Sequence, residues 1–293
     1  MPIGKIIKSL SGFYYVQSEG SVYQCKGRGN FRKKKITLLV GDDVTFEMDQ
    51  NEEGYILDVQ SRKNELVRPP IANIDQAIIV ASVVEPDFKP LLLDRFLVLI
   101  ESMNIEPIIV LTKMDLLSEE GRTSIETYKK DYEALGYQVV VGSSKVEDSL
   151  HEVSSYLKGK VTVIAGQSGV GKSSMLNALK PQLDLETNDI SKSLGRGKHT
   201  TRHVELIDMY GGLVADTPGF SSLEFQTLEY DELPDCFPEM RKYGEYCKFR
   251  GCLHKKEPKC AVKEAVQNGD IPEYRYEHYL QFLEEIQNRK PRY

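Results

Sequence analysis

The chain has 293 residues, 40% of them hydrophobic and 28% charged, enough apolar material for two or three separate cores. No apolar run is long enough to cross a bilayer, and Met1–Leu10 carries Lys5 and Lys8 without a long apolar stretch, so a cytoplasmic protein without a secretory signal is expected. A net charge of −6, from 38 basic and 44 acidic residues, argues against a chain devoted wholly to nucleic-acid binding.

Residues 1–68 read as short strands. Gly12–Gln17 and Ser21–Cys25 flank a Glu19-Gly20 turn, and Ile36–Val40, Asp43–Met48 and Gly54–Val59 follow. Five strands in so short a stretch predict a small closed β-barrel, with the oligonucleotide-binding (OB) fold the commonest such design and an SH3-like barrel the alternative. Arg68-Pro69-Pro70 then makes a stiff boundary.

Residues 69–222 alternate strands and helices. The strands are Gln76–Val83, Pro107–Leu111, Gln138–Val141, Lys160–Ala165 and Gly212–Ala215. The helices are Leu91–Met103, Glu119–Leu135, Val146–Leu157 and one opening near Gly171. This pattern predicts an α/β unit on a mostly parallel sheet. Residues 223–293 are polar and proline-punctuated up to a predicted helix at Ile271–Asn288, and read as a small, mostly helical metal-binding domain.

The chemistry concentrates in four stretches. Gly166-Gln167-Ser168-Gly169-Val170-Gly171-Lys172-Ser173 matches the phosphate loop Gly-x4-Gly-Lys-[Ser/Thr], between an apolar strand and a helix opening through Ser174. Its amides would wrap phosphates, Lys172 would reach the β- and γ-phosphates, and Ser173 would ligate Mg²⁺. Thr112-Lys113-Met114-Asp115 is similar to the Asn-Lys-x-Asp motif of guanine recognition, in which a carboxylate accepts from N1–H and the 2-amino group; here Thr112 replaces Asn. Gly142-Ser143-Ser144-Lys145 resembles the loop beside the base, although a plain strand-to-helix turn is nearly as good a reading. Asp216-Thr217-Pro218-Gly219 matches the second switch, with Asp216 holding a metal-bound water and the Gly219 amide meeting the γ-phosphate.

The guanine motif and base loop precede the phosphate loop and switches, the reverse of the usual order: a circular permutation. Gly195–Arg202 lies where a first switch belongs, with Thr201, or else Thr200, as the Mg²⁺ ligand. Phe220 occupies the place of a water-orienting glutamine, so His199 becomes the candidate for that role, against the alternative of a solvent-facing loop histidine.

Of five cysteines, Cys247, Cys252 and Cys260 cluster with His254 in a Cys-x4-Cys-x-His-x5-Cys array suited to structural Zn²⁺; reduced, unligated thiols are the alternative. Cys25 and Cys236 lie outside it. Two stretches are locally basic: Lys26, Arg28, Arg32, Lys33, Lys34 and Lys35, and then Arg241, Lys242, Lys248, Arg250, Lys255, Lys256 and Lys259. Each suits an RNA backbone or is simply a solvated loop.

Together, the permuted motifs, the Gly195–Thr201 segment and the Cys247/Cys252/His254/Cys260 array resemble the ribosome-small-subunit-dependent GTPase A family of bacteria over nearly the whole chain. The resemblance implies an OB barrel, a permuted GTPase and a zinc domain. It also implies late maturation of the small ribosomal subunit as the task, rRNA as partner, and GTP hydrolysis stimulated by that subunit and promoting release. A first-switch histidine assisting hydrolysis matches His199, and a monomer is expected. The alternatives are an RNA binder that uses GTP as a structural ligand and a phosphate-loop kinase, the latter opposed by Asp115 and Asp216–Gly219.

Overall fold

The computed structural model describes residues 1–29, 31, 34–49, 53–67, 69–146, 148–183, 204–218 and 223–289. The first module is a closed barrel of β1 (Ile3–Leu10), β2 (Phe13–Ser18), β3 (Ser21–Gly27), β4 (Asp43–Met48) and β5 (Gly54–Val59), joined in the order β1-β2-β3-β5-β4. The β3–β5 pair is parallel and β1–β4 closes the ring, the OB arrangement rather than the SH3-like one. Alternate residues fill the interior: Ile6, Val16, Cys25, Val44, Phe46 and Ile56 are all buried. Gly54 lets β5 approach β3, because a Cβ there would stand 2.5 Å from Cys25 Sγ.

Two expectations for the barrel need correction. The first strand is Ile3–Leu10, whose period-2 pattern is broken by a register shift between Ile6 and Lys8. Ile36–Val40 is not a strand: only Val40 forms a bridge, to Ile71. Asp42 turns the chain there, accepting from the Leu39 amide at 2.7 Å while the Arg62 guanidinium grips both its oxygens.

A short hairpin, β6 (Glu65–Val67) and β7 (Pro70–Ala72), leads to β8 (Gln76–Ser82), α1 (Pro90–Glu101), β9 (Glu106–Thr112), α2 (Glu119–Ala134), β10 (Gln138–Val141), α3 (Glu152–Leu157), β11 (Val161–Ala165), α4 (Lys172–Leu179), β12 (Leu206–Met209) and β13 (Gly212–Pro218). The sheet has six strands in the order β10-β9-β8-β11-β13-β12, parallel except for β12. It is buried on both faces, Ile79 and Leu111 on one and Ile78 and Val110 on the other, so its strands read as continuous apolar runs. The helix expected from Val146 begins only at Glu152. Ser149 Oγ contacts the Ser143 amide and carbonyl and the Val146 carbonyl, and these bonds hold the first part as turns. The edge strand β12 lacks such a run and escapes sequence reading.

The C-terminal region adds α5 (Pro238–Gly244), α6 (Ala261–Gln267) and α7 (Glu273–Gln287), of which only the last was expected. Its core of Phe237, Met240, Tyr279, Phe282 and Leu283 packs on Val98 and Leu99 of α1. Helix α1 is thus apolar on two sides, one for the sheet and one for this module. Among the described residues no helix is long and apolar enough to cross a membrane.

Candidate functional site

Thr112–Asp115, Gly142–Lys145, Gly166–Ser173 and the Asp216 backbone, scattered along the chain, follow or end the parallel strands β9, β10, β11 and β13 at their carboxyl ends, where open α/β sheets bind ligands. β11 ends at Ala165 and the chain turns through Gly166, Gly169 and Gly171 at φ of 133°, 80° and 95° before α4 begins at Lys172. At Gly166 a Cβ would lie 2.2 Å from the Val80 carbonyl oxygen, so no other residue fits. Val170 and Ser173 are buried, whereas Gln167, Ser168 and Gly169 are exposed and Ser174 is half-buried. Lys172 Nζ folds over the loop, donating to the carbonyls of Gly166 at 2.9 Å and Gln167 at 2.7 Å.

The guanine motif follows β9 directly. Thr112 Oγ1 lies 2.6 Å from the Val170 carbonyl, so the hydroxyl that replaces an amide ties this motif to the phosphate loop. Sequence reading marked Thr112 only as a departure; this link needs the fold. Lys113 sits in the left-handed region at φ 64°, and its ammonium donates to the Glu85 carbonyl, a partner no motif marks. Met114 and Asp115 form a 3-10 turn, and the Met114 amide reaches Gly142 of the base loop at 3.3 Å. Ser143 is buried, while Ser144 and Lys145 are exposed beside it. A hydrogen bond with the Ser143 side chain, outweighing partial desolvation, holds the Asp115 carboxyl below its ordinary pKa; Lys145 Nζ, 4.0 Å away, adds to this. The carboxylate is therefore ionised and acceptor-only, as two guanine N–H groups require.

Strand β13 brings the Asp216 backbone to the same edge, with Pro218 paired to Ile164. The Asp216 side chain, Gly219, Phe220 and the stretch containing Gly195, His199, Thr200, Thr201 and Arg202 lie outside the described residues, as do Arg32 and Lys33.

Away from the sheet, Cys247, Cys252, His254 and Cys260 converge, their ligand atoms all within 4.8 Å of one another. Cys247 Sγ lies 3.8 Å from Cys260 Sγ and 3.6 Å from His254 Nδ1, which is 3.3 Å from Cys260 Sγ. A tetrahedral ion with bonds of about 2.3 Å to sulfur and about 2.0 Å to nitrogen puts these pairs roughly 3.8 and 3.5 Å apart, so the donors fit one metal. Burial raises the Cys252 thiol to about 12, raises Cys260 and lowers His254, a setting in which a bound cation would compensate thiolate charge. Glu257 braces the loop by accepting from the amides of Leu253, Lys255 and Lys256, and Tyr276 donates to the His254 carbonyl at 2.6 Å.

The two basic stretches differ. Lys26 pairs with Glu53 at 3.1 Å and Arg28 with Glu47, so β4 and the residue just before β5 supply acids the linear sequence does not place nearby. Lys34 and Lys35 are exposed. Around the metal-site cluster, Lys242 lies over Tyr243 and Lys248 over Phe249, and Tyr246 is 75% exposed.

Comparison with known proteins adds independent findings. A family model for the RsgA GTPase matches residues 59–226, and one for the RsgA N-terminal domain matches residues 3–56. The small ribosomal subunit biogenesis GTPase RsgA of Bacillus cereus (strain ATCC 10987 / NRS 248) is 63% identical over 293 residues, covering all of both chains. Its namesake from Geobacillus kaustophilus (strain HTA426) is also 63% identical over the full length of both. Among solved structures, YloQ, described as a circularly permuted GTPase, superposes with a TM-score of 0.88 at 53% identity, covering 100% of this chain and 97% of that one. YjeQ from Thermotoga maritima gives 0.88 at 38% identity, covering 99% of each.

Proposed function

The chain belongs to the RsgA GTPase family, and on that premise we propose that it binds GTP at the carboxyl edge of its permuted sheet, hydrolyses it to GDP and phosphate, and acts in maturation of the small ribosomal subunit. The observation that carries this reading is the tie between an ionised Asp115 and the phosphate loop through Thr112 and Val170, which sets base and phosphate recognition in one rigid frame. In this reading Gly166–Ser174 hold the phosphates, Thr112–Asp115 and Ser143–Lys145 hold the base, and Ser173, Thr201 and Asp216 hold Mg²⁺. The Gly219 amide meets the γ-phosphate, and His199 assists the attacking water. The functional units are residues 1–68, 69–222 and 223–293, working as a cytoplasmic monomer.

The barrel and the C-terminal module would grip rRNA from two sides. Lys34 and Lys35 are exposed, Lys26, Arg28, Arg32 and Lys33 belong to the same basic stretch of sequence, and exposed lysines with aromatics line the other module. Zinc is the ion we assign to the Cys3His site. Purified protein is expected to hold about one zinc per chain, and stripping it with a strong chelator should lower the melting temperature and make buried Cys252 and Cys260 reactive to thiol reagents. Metal-free protein with an unchanged melt would refute a structural role.

Asp115→Asn exchanges an acceptor pair for an amide. It is expected to weaken GTP binding about hundredfold while improving binding of xanthosine triphosphate, measured by competition titration. Unchanged guanine preference would contradict the base contact. His199→Ala is expected to leave GTP affinity intact and slow turnover; normal turnover would remove its role.

The deciding experiment is GTP turnover with and without purified small ribosomal subunits, with ATP as control. Stimulation specific to GTP supports the reading. Tight GTP binding without turnover would instead favour a nucleotide-gated RNA binder, the reading that Phe220 in the glutamine position supports.

A further inference from the structure

At the guanine motif two residues hold backbone angles that side chains other than glycine seldom take, and the two meet in one hydrogen bond. Lys113 has φ 64°, and Glu85, in the turn after β8, has φ 50°. The Lys113 ammonium donates to the Glu85 carbonyl. Strain of this kind persists only where its surroundings over-determine it, and it gathers at ligand sites. The surroundings here are firm. The Val83 amide donates to the Thr112 carbonyl at 3.1 Å, Ser82 Oγ donates to the Val84 carbonyl, and the Phe88 ring meets Tyr128 of α2 edge-on at 5.2 Å. Pro86, Asp87 and Lys89 border the same small cavity as Gln167 and Val170 of the phosphate loop.

We propose that Glu85 is a positioning residue for guanine recognition: its backbone carbonyl, aimed by the positive φ, holds the Lys113 ammonium so that the lysine stem lies fixed against the face of the base. The proposal rests on the GTPase reading above and concerns the base half of that site. Asp115 accepts from the edge of the purine and leaves the faces to be covered by apolar groups. The four-carbon stem of Lys113, two residues earlier in the chain, is such a group, and Lys113 is half-buried. A lysine stem is flexible and its ammonium strongly hydrated, so without an anchor the side chain would extend into water. A carbonyl of fixed position holds its far end, and the stem is then ordered before the base arrives. The Glu85 side chain is exposed and takes no part in the contact.

Because the contact belongs to the backbone, it has a distinctive mutational signature. Glu85→Ala removes only the exposed carboxylate, and glycine takes a positive φ freely, so both substitutions leave the carbonyl in place. Valine, branched at Cβ, is a severe outlier at that angle, so Glu85→Val turns the carbonyl away. A role for the carboxylate itself would make alanine and glycine as damaging as valine.

The test measures binding of GTP, ATP and inorganic tripolyphosphate to the full chain by calorimetric titration. Glu85→Val is expected to weaken GTP binding about tenfold, the scale of one charge-assisted hydrogen bond. Glu85→Ala and Glu85→Gly should stay within about twofold of wild type, and tripolyphosphate, which has no base, should bind every variant within the same margin. Lys113→Met keeps the stem and removes the ammonium, so adding Glu85→Val to it should cost nothing more, as expected of two residues that act through one contact. Wild-type GTP affinity in Glu85→Val, equal losses in all three Glu85 variants, a parallel fall for tripolyphosphate, or losses that add to those of Lys113→Met would each overturn the proposal. If Glu85→Val does not fold, Phe88→Ala, which frees the turn from Tyr128, decides by the same comparison of GTP, tripolyphosphate and the Lys113→Met background. Wild type without preference for GTP over ATP would sink the guanine reading itself, and the proposal with it; the variant outcomes are read with that preference intact.

Discussion

Arg275→Met is expected to lower the unfolding free energy by about 3–5 kcal/mol, the cost of leaving a buried charge without its partner. Arg275 is fully buried where α7 meets the GTPase module. Its Nη1 lies 2.6 Å from Asp94 of α1 and its Nε 2.7 Å from Glu239 of α5, with Phe237 stacked 4.6 Å from the guanidinium. Asp94 also accepts from Tyr132 at 2.6 Å and lies 2.5 Å from His278 Nδ1. Burial opposes the arginine's charge, but Asp94 and Glu239 outweigh it and hold the guanidinium pKa well above its ordinary value. Methionine would fill much of the space and take the guanidinium from Glu239, while Asp94 keeps Tyr132 and His278. Urea unfolding measures the loss. A loss under about 1 kcal/mol would mean the network is energetically replaceable by apolar packing.

That network also marks the limit of what the sequence discloses. The strand–loop–helix at Gly166–Ser173, the turn at Thr112–Asp115 and the Cys247/Cys252/His254/Cys260 cluster were legible because each rests on a few nearby residues whose backbone demands, glycines above all, are local. The parallel strands were legible for a related reason: burial on both faces turns each into an apolar run. Strand β1 was missed because a bulge interrupts its alternation, and Ile36–Val40 was misread because Asp42, beyond the segment, turns the chain. Helices α5 and α6 are seven residues each, too short for a periodic signal. The basic run from Lys26 looked unopposed until folding brought Glu47 and Glu53 alongside. Asp94 and Arg275 read as ordinary helix charges, since nothing in a heptad of sequence says which face meets another module. Contacts across 181 residues, such as Asp94 with Arg275, exist only in the fold.

Lys172→Ala is expected to weaken GTP binding about hundredfold or more while leaving the fold intact, and the reason lies in what the ammonium does before nucleotide arrives. Its two bonds to the Gly166 and Gln167 carbonyls pin the side chain across the loop, so part of the cost of orienting it is met in advance. When phosphate enters, those neutral acceptors are exchanged for anionic oxygens. The gain is the difference between bonds in which donor and acceptor are both ionised and bonds from the same ammonium to neutral peptide carbonyls. Two such exchanges, with the long-range attraction of a cation for a polyanion, give the loss expected on truncation. The loop itself should survive, because its path is set by the glycines and by the Thr112–Val170 bond rather than by the lysine. Gly166→Ala inverts this pattern: a methyl 2.2 Å from the Val80 carbonyl oxygen must displace a central strand, so stability and binding fall together. Melting curves with and without GTP separate the cases. Lys172→Ala should melt near the wild-type temperature and gain nothing from GTP, whereas a variant that still gains the full wild-type increment would place the phosphates elsewhere.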